Sequence, residues 1–119
     1  MHFNHVSRSH LTKRQRSRIS ERELARKVGG RVQPASGALP VAGLKGDVVT
    51  EQMMFDDKTT LAKSFSVADD LMVKLDRDAF RARKMGVLRV HFEKTGRSVF
   101  VVSELTFNRS LNELSQSGS

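Results

Sequence analysis

Asp47-Val48-Val49-Thr50-Glu51-Gln52-Met53-Met54-Phe55-Asp56-Asp57-Lys58 is the stretch from which the fold is best read. Two extended-prone runs, 47–50 and 52–58, flank a polar break, so the segment is predicted to be two adjacent strands joined by a tight turn near Glu51. Residues two apart in a strand share a face. Asp56 and Lys58 are therefore expected on one face and the Asp57 side chain on the other, with Asp47 brought close to Asp56 across the hairpin.

Toward the C-terminus, Ser66-Val67-Ala68-Asp69 has the form of a capping box, and Val67, Leu71, Leu75, Ala79 and Ala82 recur at helical spacing until Gly86. This predicts a long helix packed on the sheet. Val87 to Glu93 alternates, with Leu88, Val90 and Phe92 opposite Arg89 and His91, so His91 is read as a surface residue without a role. Lys94-Thr95-Gly96-Arg97 is a turn. Val99 to Val102 is apolar on both faces, as in an interior strand. Leu105 and Phe107 are expected to extend the core, and a short helix to cover Leu111 and Leu114, before a frayed tail at 115–119.

Toward the N-terminus, Ser20-Glu21-Arg22-Glu23 reads as another capping box opening a helix over about Glu21 to Val28, with Gly29-Gly30 as its stop. Arg31 to Gln33 is a short strand, and Pro34 to Pro40 with Gly43 is a loop with room for a ligand. Residues 1–18 read as a flexible basic arm, and 19–114 as a single domain. The order of elements predicts an α+β fold, a central mixed sheet flanked by helices.

The chain has 119 residues and a formal charge of +8, and the charge is unevenly placed. Residues 1–46 hold ten Lys or Arg against two acids, whereas 47–119 hold eleven of each. Such asymmetry points to a polyanion, because neutralising phosphates releases counterions. An acidic membrane surface is a poorer match, since residues 8–18 offer few apolar side chains to insert. No apolar run approaches a membrane span or a secretory signal, so a cytoplasmic location, in a bacterium or a phage-infected host, is expected. Cysteine is absent, which excludes disulfides, thiolate zinc sites and a cysteine nucleophile. His2, His5 and His10 lack fixed ligand spacing and read as solvated. Tyr and Trp are also absent, so base stacking as in single-strand binders is poorly supported.

Two carboxylates and an ammonium on one face, beside a basic surface, suit phosphodiester chemistry. Carboxylate oxygens are hard donors that favour Mg²⁺, and Lys58 is placed to orient a water or offset transition-state charge. The Asp57 backbone carbonyl is a candidate further ligand. Thr59, Thr60, Lys63 and Ser64 follow this strand and have groups able to hold phosphates, although turn and cap roles are commoner for such residues. By spacing alone, D-x-K is also compatible with ordinary surface charges.

The series Glu21-Arg22-Glu23-Leu24, Pro34-Ala35-Ser36-Gly37, Gly46-Asp47-Val48 and Asp56-Asp57-Lys58-Thr59-Thr60 resembles the core of Holliday junction resolvases of the archaeal Hjc type, within the PD-(D/E)xK nucleases, and small phage-encoded relatives in particular. The resemblance runs from about residue 20 to residue 92. It implies that Glu21, Asp47, Asp56 and Lys58 are catalytic. Asp47, Asp56, Glu21 and the Asp57 carbonyl would hold Mg²⁺, with Mn²⁺ able to substitute. DNA contacts fall on Arg14, Arg16, Arg18, Arg22, Arg31, Gln33, Ser36, Lys45 and Thr60. Two positions depart from the family pattern. Asp56 stands where Glu is usual, and Gln33 where an arginine is usual, with Arg31 two residues back on the same strand face. The expectation is a homodimeric endonuclease acting on branched double-stranded DNA, with no membrane and no small-molecule substrate. The alternatives are a restriction- or repair-type nuclease with the same chemistry, or a non-catalytic basic nucleic-acid binder.

Overall fold

The structure is a computed structural model and describes residues 10–33 and 46–117. The expectations for Ser36, Lys45, the ligand loop and residues 1–9 lie outside the described residues.

The first helix, α1 (Lys13–Val28), begins well before Glu21. Thr12 is its N-cap: the Thr12 hydroxyl accepts the Gln15 amide at 3.1 Å, and the Gln15 side chain accepts the Thr12 amide at 2.9 Å. The capping box therefore lies at Thr12, and Ser20 is a fully buried residue in mid-helix. Residues 13–18, expected in the arm, are helical because Lys, Arg and Gln are good helix formers with no breaker among them. Gly29 closes the helix at φ +71°, with its amide on the Ala25 carbonyl, as the double glycine predicted.

β1 (Arg31–Val32) pairs antiparallel with β2 (Val48–Val49), and β2 pairs antiparallel with β3 (Met53–Thr60), setting Val48 opposite Phe55 and Val49 opposite Met54. The predicted turn is present: the Thr50 hydroxyl accepts the amides of Gln52 (3.2 Å) and Met53 (2.9 Å). α2 (Asp69–Arg81) carries the chain from β3 to β4 (Met85–Phe92), which pairs parallel with β3. β5 (Arg97–Val101) returns antiparallel to β4, giving the sheet order β1-β2-β3-β4-β5. The expected α+β arrangement of a mixed sheet flanked by helices is thus observed.

Helices cover both faces of the sheet. On one face Leu24 and Ala25 of α1 meet Val48, Phe55 and Val87; on the other, Leu75 and Ala79 of α2 meet Val49, Met54, Leu88 and Val90. Every residue of β4 from Met85 to His91 is buried in consequence.

Several local expectations are corrected. α2 starts after Ala68 with no side-chain cap; the acids Asp69 and Asp70 in its first turn oppose the positive end of the helix dipole instead. β5 is an edge strand and not an interior one, with Val99 and Phe100 exposed. The last helix, α3 (Glu104–Ser117), is longer than anticipated, and it leaves Leu105, Phe107, Leu111 and Leu114 exposed while burying Thr106. His91 is buried, because its face of β4 is the one that α1 covers and its ring meets Ser98 of the neighbouring β5. Among the described residues no helix is long and apolar enough to cross a membrane.

Candidate active site

Gly46 delivers the first acid. Its φ is +90°, and a Cβ there would lie 2.6 Å from Met54 Cγ, so the chain turns tightly over β3 at a position that favours glycine. Asp47 follows, its main chain anchored on both sides: its amide donates to the Phe55 carbonyl and its carbonyl accepts the Gln33 amide, each at 2.8 Å. Since Val48 faces Phe55, the next step of the register sets Asp47 opposite Asp56. The Asp47 carboxylate is aimed by the backbone, with Oδ2 accepting the Asp57 amide at 2.7 Å.

Asp56 and Lys58 share the α2 face of β3, and Lys58 Nζ stands 3.2 Å from Asp56 Oδ1. Asp47, Asp56 and Lys58 line one cavity of about 200 Å³ between the sheet and α2, whose far wall carries Lys74 and Asp78. The three groups expected to converge are therefore together on one face. The amide and carbonyl of one strand residue point to the same side, so the Asp57 carbonyl is directed toward the edge where its amide meets Asp47.

Burial pushes the Asp47 carboxyl up to about 6; the Asp57 amide and the Lys58 ammonium oppose the rise, and the adjacent Asp56 carboxylate adds to it. Glu21, on α1, does not line the cavity, but its carboxyl is raised to about 7 by burial first and then by the charges of Asp47, Asp57 and Asp56, with Arg18 opposing. It stands in the field of the same acids from the opposite side of the sheet.

A group whose folded-state pKa lies above its unfolded value stabilises the fold while protonated, and that contribution disappears as pH rises through the folded pKa. Asp47, raised from 3.8 to about 6, and Glu21, raised from 4.5 to about 7, place the loss between about pH 4 and 7. With EDTA present, the melting temperature is expected to fall over this window, by roughly 1–2 kcal/mol of stability after allowance for solvent screening. Asp47→Asn should flatten the slope. A melting temperature flat from pH 4 to 7 in the parent chain would contradict the crowding of these acids.

The sequence did not reveal what lies behind Asp57. Its side chain enters the α1 face, where Arg89, fully buried, reaches it at 3.4 Å, donates to the Ser20 carbonyl at 3.0 Å, and meets Ser98 Oγ at 3.1 Å and His91 Nδ1 at 3.3 Å. His91 Nδ1 is in turn 2.8 Å from Ser98 Oγ. Burial raises the Asp57 carboxyl, the neighbouring Ser20 hydroxyl and Arg89 guanidinium oppose this, and Asp57 Oδ2 makes no hydrogen bond among the described residues. Lys74 and Asp78 were also missed; the available signal was two charged residues beside Leu71 and Leu75 on the inward stripe of α2.

The residues expected to touch DNA divide. Arg14, Arg18, Arg22 and Arg31 are exposed cations. Arg16 is instead structural: Nε lies 3.1 Å from the buried Glu93 carboxylate and a terminal nitrogen donates to the Leu11 carbonyl at 3.0 Å, because α1 passes over the end of β4. Gln33 is buried and contributes its amide to the Asp47 carbonyl. The Thr60 hydroxyl accepts the Ala62 amide at 3.0 Å, a turn role.

Among the described residues no group of three or more His, Asp or Glu side chains stands together as a ready-made metal site. The facing Asp47 and Asp56 carboxylates supply two hard oxygen donors, which suits a cation that completes its shell with main-chain oxygen and water, as Mg²⁺ does. Comparison with protein-family models, with curated proteins and with solved structures returns no significant match for this chain.

Proposed function

We propose that the chain is a metal-dependent endonuclease of the PD-(D/E)xK kind that cuts phosphodiester bonds at four-way DNA junctions. The observation that carries this reading is the meeting of Asp47, Asp56 and Lys58 in one cavity, with Asp47 held by the Asp57 amide. Asp47 and Asp56 would hold Mg²⁺ or Mn²⁺, joined by the Asp57 carbonyl, while Glu21, outside the cavity on the α1 side, would act on the site through its charge. Such an ion supplies Lewis acidity and a bound water of lowered pKa. Lys58, tethered by Asp56, keeps its remaining N–H groups for the attacking water or for a non-bridging phosphate oxygen. The exposed Arg14, Arg18, Arg22 and Arg31 would contact backbone phosphates on either side.

Two symmetric cuts across a junction call for two sites related by a two-fold axis, so the proposed active form is a homodimer. The apolar surface of β5 and α3, with Phe100, Leu105, Phe107, Leu111 and Leu114 exposed, supports such pairing.

Labelled four-way junctions, linear duplexes, flaps and mismatched duplexes, each offered at equal concentration with Mg²⁺ or EDTA, test the proposal. Paired cuts confined to the junction and to Mg²⁺ are expected. Equal cutting of the other substrates would instead indicate a restriction- or repair-type nuclease. Intact strands throughout, with tight salt-sensitive binding, would leave a basic binder.

A further inference from the structure

A second cavity, of about 230 Å³, opens where β3 and β4 end. Because these strands run parallel in register, Thr60 beside Phe92, both finish at the same edge, and β5 begins there with Arg97 opposite Phe92. The cavity floor is apolar, formed by the half-buried Leu61 and Phe92 with Ala62. Its rim carries Lys63, Lys94 and Arg97, all exposed, and no acid among the described residues lines it. None of these three cations forms an ion pair among the described residues, unlike Lys58, Lys74 and Arg16. Three uncompensated cations around one small hollow make a local positive potential that selects an anion.

The place of this hollow narrows the ligand. Phe92 packs on the same face as Met54, Leu88 and Val90, the face that bears Asp56 and Lys58. Leu61 lies three residues beyond Lys58 along the chain, about 10 Å at strand rise, a separation that two to three nucleotides span. The volume falls below the roughly 300–1,000 Å³ typical of sites for whole small molecules, so it suits one unit of a longer ligand.

We propose that this cleft is a DNA subsite that takes a single nucleotide of the strand flanking the scissile phosphate. Lys63, Lys94 and Arg97 grip its phosphates, and Leu61 and Phe92 receive the apolar face of its sugar or base. The assignment rests on the nuclease reading for the position of the scissile phosphate, but its test does not require cleavage.

Binding of a fluorescent four-way junction is measured in EDTA over a range of salt. The triple variant Lys63→Ala, Lys94→Ala, Arg97→Ala is expected to lower the slope of log affinity against log salt by about two, one unit for each of the two phosphates flanking the nucleotide, and to weaken binding at least tenfold at moderate salt. A control triple at exposed cations elsewhere, Arg26→Ala, Lys27→Ala, Arg81→Ala, should change the slope by less than one. Ala62→Leu fills the hollow without altering charge and is expected to weaken binding severalfold with the slope unchanged; unaltered affinity there, or a slope loss no greater than the control's, overturns the subsite. Preferential retention by phosphatidylserine vesicles over DNA would overturn it as well. A chain that cuts nothing yet shows the slope loss sinks the nuclease reading and keeps the subsite, whereas a junction-cutting chain without the loss does the reverse.

Discussion

Asp47→Asn is expected to leave a four-way junction bound and essentially uncut, with a cleavage rate at least 10²–10³-fold below that of the parent chain. Asparagine keeps the shape of the side chain and an oxygen that can accept the Asp57 amide, now held at 2.7 Å, so the hairpin geometry survives. What disappears is one of two facing carboxylate charges and with it half of the hard donor pair. Lys58→Ala should have a comparable effect for a different reason. It removes the ammonium 3.2 Å from Asp56 and nothing that the core depends on, since Lys58 is half-exposed. Binding is followed in EDTA and cleavage in Mg²⁺, on the same preparations. Undiminished cutting by both variants would refute the site.

The second large effect is on stability. Arg89→Met is expected to cost roughly 3–5 kcal/mol, the usual result of leaving a buried charge without its partner. That corresponds to a fall in melting temperature on the order of 10–20 °C. Arg89 is fully buried and links four segments: β4, Asp57 on β3, Ser98 on β5 and the Ser20 carbonyl of α1. Removing it strands the Asp57 carboxylate, which already has one oxygen without a hydrogen bond among the described residues. Replacing both members, as in Arg89→Met with Asp57→Leu, should recover much of the loss, because an apolar pair of similar volume is often neutral. A single Arg89→Met variant melting within a degree or two of the parent would show that the network is not a structural tie.

Local pattern explains why the hairpin was legible. Two extended-prone runs, 47–50 and 52–58, flank a polar break, and Thr50 supplies the turn, so neither the runs nor the turn depends on distant residues. α2 was legible because its apolar stripe at Leu71, Leu75, Ala79 and Ala82 is a property of one helix. β5 was not, since a run of four apolar residues fits an interior strand and a solvent-facing edge equally until the neighbours are known. Arg89 and His91 were misread by assuming that the polar face of an alternating strand meets water, whereas β4 lies between two helical layers. The first turns of α1 escaped because Lys13 to Arg18 has good helix propensity but no apolar stripe. Of the candidate site, the acids and lysine on adjoining strands could be read from spacing. Lys74 and Asp78 left only the weaker signal of charges beside the inward stripe of α2, because the crossover helix brings them to the cavity from elsewhere in the chain.

The group that aims Asp47 is a peptide amide, and every amino acid except proline provides one. The identity of residue 57 is therefore answerable to its neighbours beneath α1, while the orientation of the acid on the other side is inherited from strand register alone. The two faces of this one position can diverge independently, so substitutions that rework the interior below need not disturb the chemistry above.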